Sequence, residues 1–394
     1  MTGPFTAAAR ARLAHIAEEG QWRAPRSFDA RGPAGRLADP DAPIVSFASN
    51  DYLGLSVHPE VIRAAHAAIE RWGTGSGASR LVTGTRPVHH DLEEALAAWK
   101  GTEAAVCFPT GFAANLGVLS VFGTSGTRIV SDALNHASIV DGCRMARATV
   151  SIYRHADVAH LEAILAESDQ PTLVVTDTVF SMDGDTAPLA AIAALCRRHR
   201  ALLVVDEAHA ALGPHPGAET LGDLEVLRVG TLSKTLGSLG GFVAGPRALI
   251  DLLVNTARSY IFTTAPSPAD AAAALAALGV LCSPEGTRLQ DRLRGHVAAV
   301  APGRSTPIIP VVLGSEDRAV EASAALLAEG LWVPAIRPPT VPVGTSRLRV
   351  TLSAAHTEDQ VARLVAALAA FGPVEGDPTT AVPRPPVIER AGAG

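Results

Sequence analysis

The feature that most constrains the fold is an alternation of short apolar runs with helical patterns, which extends from residue 44 to about residue 280. Short apolar runs bounded by turns indicate buried strands, and the helical segments between them are typical of helices that cover a sheet. The predicted strands span residues 104–108, 128–131, 150–153, 173–177, 202–206 and 226–230. The predicted helices span residues 87–100, 112–121, 157–167 and 188–200. The sequence therefore predicts an α/β fold built on a parallel sheet.

Beyond a helical stretch at 267–282 the pattern changes to that of a smaller α+β unit. Its predicted elements are a strand at 308–313, a helix at 316–329, strands around 331–336 and 347–352, and a last helix that ends near 371. We therefore expect four segments: an amphipathic N-terminal helical arm (1–45), a large domain (46–280), a small C-terminal domain (281–372) and a proline-rich, disordered tail (373–394).

Composition and charge exclude several classes of protein. The net charge is −6 and the arginines are scattered, so we expect no nucleic-acid partner. Every apolar run is shorter than the roughly 20 residues that a membrane span requires, so we expect no membrane segment. The four cysteines are far apart in the chain and form no CxxC pair, which argues against both a disulfide framework and a metal site. These features predict a cytoplasmic protein.

The basic residues are unevenly divided, because only two of the 33 are lysines. Arginine can replace lysine as a solvated charge, but its guanidinium does not deprotonate and cannot form a Schiff base. Lys234 follows a predicted strand and lies among small and hydroxyl residues, which suits a reactive amine better than a phosphate-binding lysine without P-loop spacing. Lys100 ends a predicted helix before Gly101, where a cation complements the helix dipole. We therefore expect Lys100→Arg to be almost silent.

A second motif, DEAH at residues 206–209, follows an apolar strand and ends in a histidine. Asp206 is compatible with a metal ligand, with a Walker B acid, or with the anion that keeps a pyridine nitrogen protonated. The chain has no P-loop to accompany a Walker B acid. A carboxylate beside the ring and a lysine downstream meet the requirements of pyridoxal phosphate (PLP) as an electron sink. Together, Asp206 and Lys234 favour a PLP site.

Three further segments follow predicted strands, and each of them alone is a weak signal. Gly111 lies at a strand-to-helix turn whose amides could bind a phosphate. His136 could stack on a planar cofactor or donate a proton, although a single histidine is more often structural. Ser181 precedes an Asp-Gly pair, which also favours an ordinary tight turn. In open α/β sheets, ligands bind at the strand ends where all three segments lie.

The order of these motifs resembles that of the α-oxoamine synthases, which are fold-type-I PLP-dependent transferases. The motifs that carry the resemblance are NDYLGL (50–55), TGFAAN (110–115), NHAS (135–138), SMDGD (181–185), DEAH (206–209) and TLSK (231–234). The resemblance covers roughly residues 10–371. It implies a large domain with a mostly parallel, seven-stranded sheet, a smaller α+β C-terminal domain and a homodimer.

The resemblance also implies a role for each matching residue. Lys234 would bind PLP covalently, Asp206 would pair with the pyridine nitrogen, and His136 would stack on the ring and act in catalysis. The remaining cofactor contacts implied are the phosphate-binding amides of Gly111 and Phe112, Thr231, Thr264 from a second subunit, and Ser181 and His209 beside the ring O3′. The substrate contacts implied are Arg23, Asn50, His136, Arg337 and Thr340.

Within the family, the segment 335–342 (AIRPPTVP) is most similar to that of members that condense L-alanine with a pimeloyl thioester. The acyl donor would be pimeloyl-CoA or a pimeloyl-acyl carrier protein. Another α-oxoamine synthase, such as a glycine C-acetyltransferase, is the alternative enzyme. A catalytically silent PLP-fold subunit is a further alternative, which Lys234 argues against. A dinucleotide-binding dehydrogenase is not favoured, because the chain lacks a GxGxxG motif after its first predicted strand.

Overall fold

The computed structural model describes residues 3–39, 41–213 and 215–372. The tail predicted to be disordered, residues 373–394, lies outside the described residues. In the described ranges, no helix combines the length and the apolar character needed to cross a membrane.

Strands and helices alternate through most of the described chain. The strands are β1 Phe28–Ala30, β2 Ala34–Ala38, β3 Asp41–Ser46, β4 Ala104–Phe108, β5 Arg128–Asp132, β6 Thr149–Tyr153, β7 Thr172–Asp177, β8 Leu202–Asp206, β9 Val226–Thr231, β10 Gly241–Gly245, β11 Ile308–Gly314, β12 Leu331–Trp332, β13 Ala335–Ile336 and β14 Ser346–Thr351. The α-helices are α1 Pro4–Glu18, α2 Pro59–Trp72, α3 Pro87–Lys100, α4 Gly111–Phe122, α5 Ala137–Met145, α6 Val158–Ala166, α7 Leu189–His199, α8 Ala218–Leu221, α9 Arg247–Thr256, α10 Arg258–Ile261, α11 Pro268–Leu281, α12 Pro284–Val300, α13 Glu316–Ala328 and α14 Glu358–Leu368.

The largest sheet has seven strands in the order β4-β10-β9-β8-β7-β5-β6. All pairs are parallel except those of β10, which runs antiparallel to both of its neighbours. The six predicted strands are present, and a mostly parallel sheet is confirmed. The sequence analysis missed β10, which is short and has a glycine at each end. A Cβ on Gly241 would lie 2.4 Å from the Gly111 nitrogen, so this strand needs glycine where it passes the start of α4.

Helices cover both faces of this sheet. The apolar side chains of α4, α5, α9 and α10 pack with one set of strand residues, and those of α6 and α7 pack with another. A third apolar cluster joins α2, α3 and α11 to the C-terminal part of the chain. The predicted helices at 87–100, 112–121, 157–167 and 188–200 all exist; the first has the predicted bounds, and those of the other three differ by one residue at each end.

The C-terminal part contains a three-stranded antiparallel sheet in the order β11-β14-β13. A four-stranded sheet, β1-β2-β3-β12, connects it with the beginning of the chain, because β12 pairs in parallel with β3. The single strand predicted around 331–336 is wrong, since β12 and β13 belong to different sheets. Val333 and Pro334 separate them, and proline lacks the amide hydrogen that a continuous ladder needs. The domain boundaries given above stay a prediction.

Two features at the ends of helices differ from expectation. The segment predicted as a helical arm (1–45) contains helix α1, of which no residue is buried, but it also contains β1, β2 and most of β3. Helix α3 ends as predicted at Gly101, which has a φ of +64°. However, the helix-end cation Lys100 is buried and paired, since only 3% of its side chain is exposed and its Nζ lies 2.6 Å from Glu207 Oε2.

Candidate active site

Four parallel strands of the large sheet end side by side and carry polar residues at the same edge. Strands β5, β7 and β8 end at Asp132, Asp177 and Asp206, and β9 ends at Thr231. The loop after β9 then delivers Lys234. The carboxyl edge of a parallel sheet is the usual ligand site of open α/β folds. The structure therefore brings Asp206 and Lys234 to one edge, as the sequence predicted.

Lys234 lies in a tight turn after β9. The turn is closed by a hydrogen bond from the Gly237 amide to the Lys234 carbonyl, at 3.0 Å, and Gly237 has a φ of +58°. Among the residues that the structure describes, the amine forms no ion pair. Burial lowers the pKa of Lys234, whereas Asp206 and Asp177 oppose that shift. The amine is therefore easier to deprotonate than a solvated lysine, which is what a nucleophile or a base requires.

The Asp206 carboxylate is buried and oriented by two donors. Its Oδ2 accepts a hydrogen bond from Asn115 Nδ2 at 2.7 Å, and its Oδ1 accepts one from the Ala208 amide at 2.9 Å. Asn115 Nδ2 also donates to Ser138 Oγ at 2.8 Å, which ties α4 to α5. Sequence analysis quoted Asn115 and Ser138 within motifs but gave neither a role. Both lie on the same face of the sheet as Asp206 and fix the direction of its carboxylate.

Asp177 is a second buried carboxylate at this edge, which sequence analysis did not include in the site. Its Oδ2 accepts a hydrogen bond from the backbone amide of His136 at 2.8 Å. Burial, and then the negative charge of Asp206, raise the pKa of Asp177 well above its ordinary value. The signal that could have found it is its position, since β7 and β8 are neighbours and both end in aspartate.

The two histidines of the predicted site lie near Asp206 and Lys234. His136 Nδ1 is 2.8 Å from Ser138 Oγ, and burial lowers its pKa while Asp206 opposes that shift. His209 Nδ1 is 2.6 Å from the Tyr52 hydroxyl. Burial, and then Lys234, hold the pKa of His209 well below its ordinary value. Burial therefore favours the uncharged form of both imidazoles.

The start of α4 lies close to the end of β9 at Gly111. Helix α4 begins after Thr110, whose Oγ1 accepts a hydrogen bond from the Ala113 amide at 3.0 Å. The first amides of the helix, those of Gly111 and Phe112, have no carbonyl of the same helix within reach. A Cβ on Gly111 would lie 3.4 Å from the Thr231 Cβ, so a larger residue would narrow the space between them. These two amides form a donor set for an anionic group. The Thr231 hydroxyl beside them donates to the Gly240 carbonyl at 3.0 Å.

Arg349 in β14 links the C-terminal part of the chain to this edge. Its Nε donates to the Ser181 carbonyl at 2.6 Å, and its Nη2 donates to Asn50 Oδ1 at 3.3 Å. The Tyr52 hydroxyl is 3.2 Å from the same Asn50 oxygen. Arg349 therefore places Ser181, Asn50 and Tyr52 around the cleft. Arg349 is not among the predicted site residues, although arginines at alternate positions of a buried strand were a signal.

Four predicted residues have contacts or exposure that do not connect them with these groups. Arg337 Nη1 donates to the Gly20 carbonyl at 2.8 Å, which ties it to the segment after α1. Arg23, Thr264 and Thr340 are exposed. Within the described ranges, no recorded contact joins any of the four to Lys234 or Asp206. Their assignment to the site stays a prediction.

The donor set of this cleft fits PLP. Asp206 offers a buried carboxylate for a pyridine nitrogen, and Lys234 offers an amine whose pKa is lowered by burial. The start of α4 offers amide donors for a phosphate. The combination meets the three recognition requirements of that cofactor.

Comparison with known proteins points in the same direction. The sequence profile of the family described as aminotransferase class I and II matches residues 42–368. The 8-amino-7-oxononanoate synthase of Anaeromyxobacter dehalogenans is 52% identical over 84% of this chain and 87% of that protein. The enzyme of the same name from Geobacter sulfurreducens is 45% identical over 91% of this chain and 96% of that protein.

Solved structures with similar folds include two kinds of enzyme. Serine palmitoyltransferase from S. paucimobilis, with a bound PLP–myriocin adduct, has a TM-score of 0.86 and 30% identity over 94% of this chain and 100% of that chain. The 8-amino-7-oxononanoate synthase from Francisella tularensis has a TM-score of 0.69 and 25% identity over 83% of this chain and 97% of that chain.

Proposed function

The chain belongs to the class I and II aminotransferase family, and from this premise we propose that it condenses L-alanine with a pimeloyl thioester. The products would be 8-amino-7-oxononanoate, CO2 and the free thiol of CoA or of the acyl carrier protein, as in biotin biosynthesis. The chain is a PLP-dependent acyltransferase with the fold of this family. The observation that carries the proposal is the placement of Lys234, whose amine has a lowered pKa, in one cleft with the buried carboxylate of Asp206.

We assign the chain's own residues to the steps as follows. Lys234 Nζ would attach the cofactor and then, once released, take the proton from the amino-acid Cα and return it at the end of the cycle. Asp206 would hold a proton on the pyridine nitrogen. When bound, PLP supplies a conjugated ring that accepts the negative charge developing at Cα. The removal of water from Asp206 and Lys234 strengthens the electrostatic interaction between such groups.

The remaining residues would orient the reactants. Gly111, Phe112 and Thr231 would bind the phosphate, and Ser181 and His209 would contact the ring hydroxyl side. The set assigned to the amino-acid substrate is Asn50, His136, Arg337, Thr340 and Arg23. A bidentate contact from Arg337 to the carboxylate would direct the bond that breaks, which is an orientation effect. His136 would act as the acid at the carbonyl oxygen of the incoming acyl group.

A homodimer is part of the proposal. Ser259 Oγ donates to the Ala113 carbonyl at 2.8 Å, which joins α10 to the first turn of α4, and Thr264 follows α10 in the chain. Phe262 is 69% exposed and Phe112 is 42% exposed in the single chain. A second copy that covers these rings could contribute its Thr264 to the phosphate site. The cytoplasm is the proposed location, with four free cysteines in support.

A turnover assay over a small matrix of substrates tests the reaction. The amino acids are alanine, glycine and serine, and the thioesters are pimeloyl-CoA, a pimeloyl-acyl carrier protein, acetyl-CoA and palmitoyl-CoA. Mass spectrometry should detect 8-amino-7-oxononanoate from alanine with a pimeloyl donor as the fastest product. Turnover confined to glycine with acetyl-CoA, or to serine with palmitoyl-CoA, would replace the proposal by another member of the family.

A further inference from the structure

Three charged side chains form a closed, buried cluster behind the cleft, and the reaction scheme above uses none of them. Lys100 Nζ lies 2.6 Å from Glu207 Oε2, and Arg228 Nε lies 2.8 Å from Glu207 Oε1. Arg228 Nη1 also donates to the Lys100 carbonyl at 2.8 Å. The exposed fractions of the Lys100, Glu207 and Arg228 side chains are 3%, 1% and 8%. We call these three residues the buried ionic triad.

The triad is joined to the cleft through one peptide bond. Glu207 directly follows Asp206, and its amide donates to the Val229 carbonyl at 2.8 Å, so it extends the β8–β9 ladder. Successive residues of a strand face opposite sides of the sheet. Asp206 therefore faces α4, where it meets Asn115, while Glu207 faces α3, where it meets Lys100.

The turn that begins at Glu207 also contains His209 and a backbone amide that binds Asp206. The Ala208 amide donates to Asp206 Oδ1 at 2.9 Å, and the Ala210 amide donates to the Glu207 carbonyl at 3.1 Å. His209, between them, is held through its Nδ1 by the Tyr52 hydroxyl. A displacement of Glu207 would therefore change both the carboxylate of Asp206 and the ring of His209.

The burial of three charged side chains at a strand end is energetically unfavourable. Removal of a carboxylate from water is unfavourable by several kcal/mol, and a buried ion pair seldom offsets this penalty enough to add net stability. Burial raises the pKa of Glu207, but Lys100 and Arg228 outweigh it and hold the pKa below its ordinary value. The carboxylate therefore stays ionised and bound on both sides. Such a network fixes geometry better than it adds stability.

We propose that Lys100 is a positioning residue for the cofactor site, acting through Glu207 on the orientation of Asp206 and His209. Lys100 in α3 and Arg228 in β9 each form an ion pair with the Glu207 carboxylate, and the two ion pairs restrain the end of β8. The inference rests on the proposed assignment of Asp206 and Lys234 to PLP, but it does not depend on which substrates the enzyme uses.

The test uses purified full-length protein with PLP and no substrate. Lys100→Met removes the ammonium and keeps the length of the side chain, and Glu207→Gln removes the negative charge without changing the volume. Each should raise the PLP dissociation constant roughly tenfold, as loss of a supporting partner does for ligands of bound metals. Each should also move the absorbance maximum of the bound cofactor or the pH midpoint of that band. In the double variant, the increase in the PLP dissociation constant should be well below the product of the two single increases, because both substitutions remove the same interaction.

Arg128→Met is the matched control, because Arg128 is an equally buried cation at the opposite, amino end of β5. Its Nη1 donates to the Ile164 carbonyl at 2.8 Å, far along the strand from Asp132. It should lower the melting temperature and leave PLP affinity and absorbance unchanged. Glu207→Gln keeps the test open if Lys100→Met does not fold, with circular dichroism as the check.

Two outcomes would overturn the inference alone. One is unaltered PLP affinity and absorbance in folded Lys100→Met and Glu207→Gln. The other is an equal loss of affinity in Arg128→Met, which would indicate general loosening. A wild-type protein that shows no cofactor absorbance would instead overturn the proposed function, and the inference with it.

Discussion

Lys234 and Lys100 are both withdrawn from water, but their surroundings differ. Lys100 is fixed by a carboxylate at 2.6 Å and lies 3.5 Å above the centre of the Trp99 ring. Lys234 has two carboxylates in its electrostatic environment and, among the described residues, no ion pair. A cation with fixed partners holds elements together, whereas an amine without them can deprotonate and react. The two lysines therefore divide the molecule into a reactive cleft and the ionic supports behind it.

His155 belongs with the supports. Its Nδ1 lies 2.8 Å from Asp132 Oδ1 and its Nε2 lies 2.7 Å from Asp185 Oδ2. Both ring nitrogens therefore donate, which requires the charged imidazolium. Burial lowers the pKa of His155, but the two aspartates outweigh it and raise the pKa to about 9. The pKa of Lys234 shifts in the opposite direction, downward.

The largest effect is expected at Lys234. Lys234→Arg keeps a charge but provides no amine, so turnover should fall on the order of 10³-fold or more, as expected when nucleophile and base are lost together. Lys234→Ala should lose as much, and added ethylamine should restore part of its turnover because it can move the Cα proton. Steady-state rates measure both.

Arg294→Lys is the control for handling and expression, since Arg294 is a half-exposed partner of Asp291 at the surface. Its turnover should equal that of the wild type. Lys234→Arg with wild-type turnover would remove the distinction between the two lysines.

The next largest difference is expected between the kcat losses that follow removal of the two buried carboxylates of the cleft, Asp206 and Asp177. Asp206→Asn removes the negative charge that would face the pyridine nitrogen, so kcat should fall on the order of 100-fold. Burial and the charge of Asp206 already disfavour the ionised form of Asp177 by raising its pKa, and the amide oxygen of Asp177→Asn can still accept the hydrogen bond from the His136 amide. Its loss should be less than about tenfold. Equal losses in kcat would mean that both carboxylates act as charges.

Much of the fold could be predicted because its signals are local. Strand β8 is a continuous apolar run that ends in aspartate, and its bounds match the prediction. Strand β10 was missed because its five residues begin and end with glycine, which leaves an apolar run of only three residues. Its pairing with β4 and β9 is not a local property of the sequence.

The site was predictable where chemistry narrows the choice of residue. Only an amine can serve at Lys234, and the DEAH motif gives Asp206 its neighbours. The role of Lys100 was misjudged because a helix-end lysine has the same sequence pattern whether solvent or Glu207 faces it. Arg349 and Asp177 were overlooked because their partners, Ser181 and His136, are distant in sequence.

A smaller effect, on stability, is expected from His155 as the pH rises. The folded pKa of about 9 lies above the ordinary value of 6.5, so the stabilisation is fully present below pH 6.5 and is lost as the pH rises through 9. The shift corresponds to roughly 3 kcal/mol of unfolding free energy. Urea unfolding of the wild type and of His155→Gln, at pH 6.5 and pH 10, measures it. The unfolding free energy of the wild type should exceed that of the variant at pH 6.5 and approach it at pH 10. A difference that is the same at both pH values would show that the imidazolium does not stabilise the fold.

The smallest effect, and the one that most sharpens the comparison, is expected from Lys100→Arg. The ammonium fits between Glu207 Oε2 and the Trp99 ring, and a guanidinium there is larger, planar and close to the charge of Arg228. A neighbouring cavity of about 210 Å³, lined by Trp99, Lys100 and Glu207, gives the longer side chain some room. We therefore expect a loss of about 1–2 kcal/mol in unfolding free energy, at the lower end of overpacking effects. Urea unfolding beside Arg294→Lys, which should lose almost nothing at its exposed site, provides the measurement. An equally silent Lys100→Arg would return Lys100 to the class of replaceable helix-end cations and leave Lys234 as the only lysine that this fold requires.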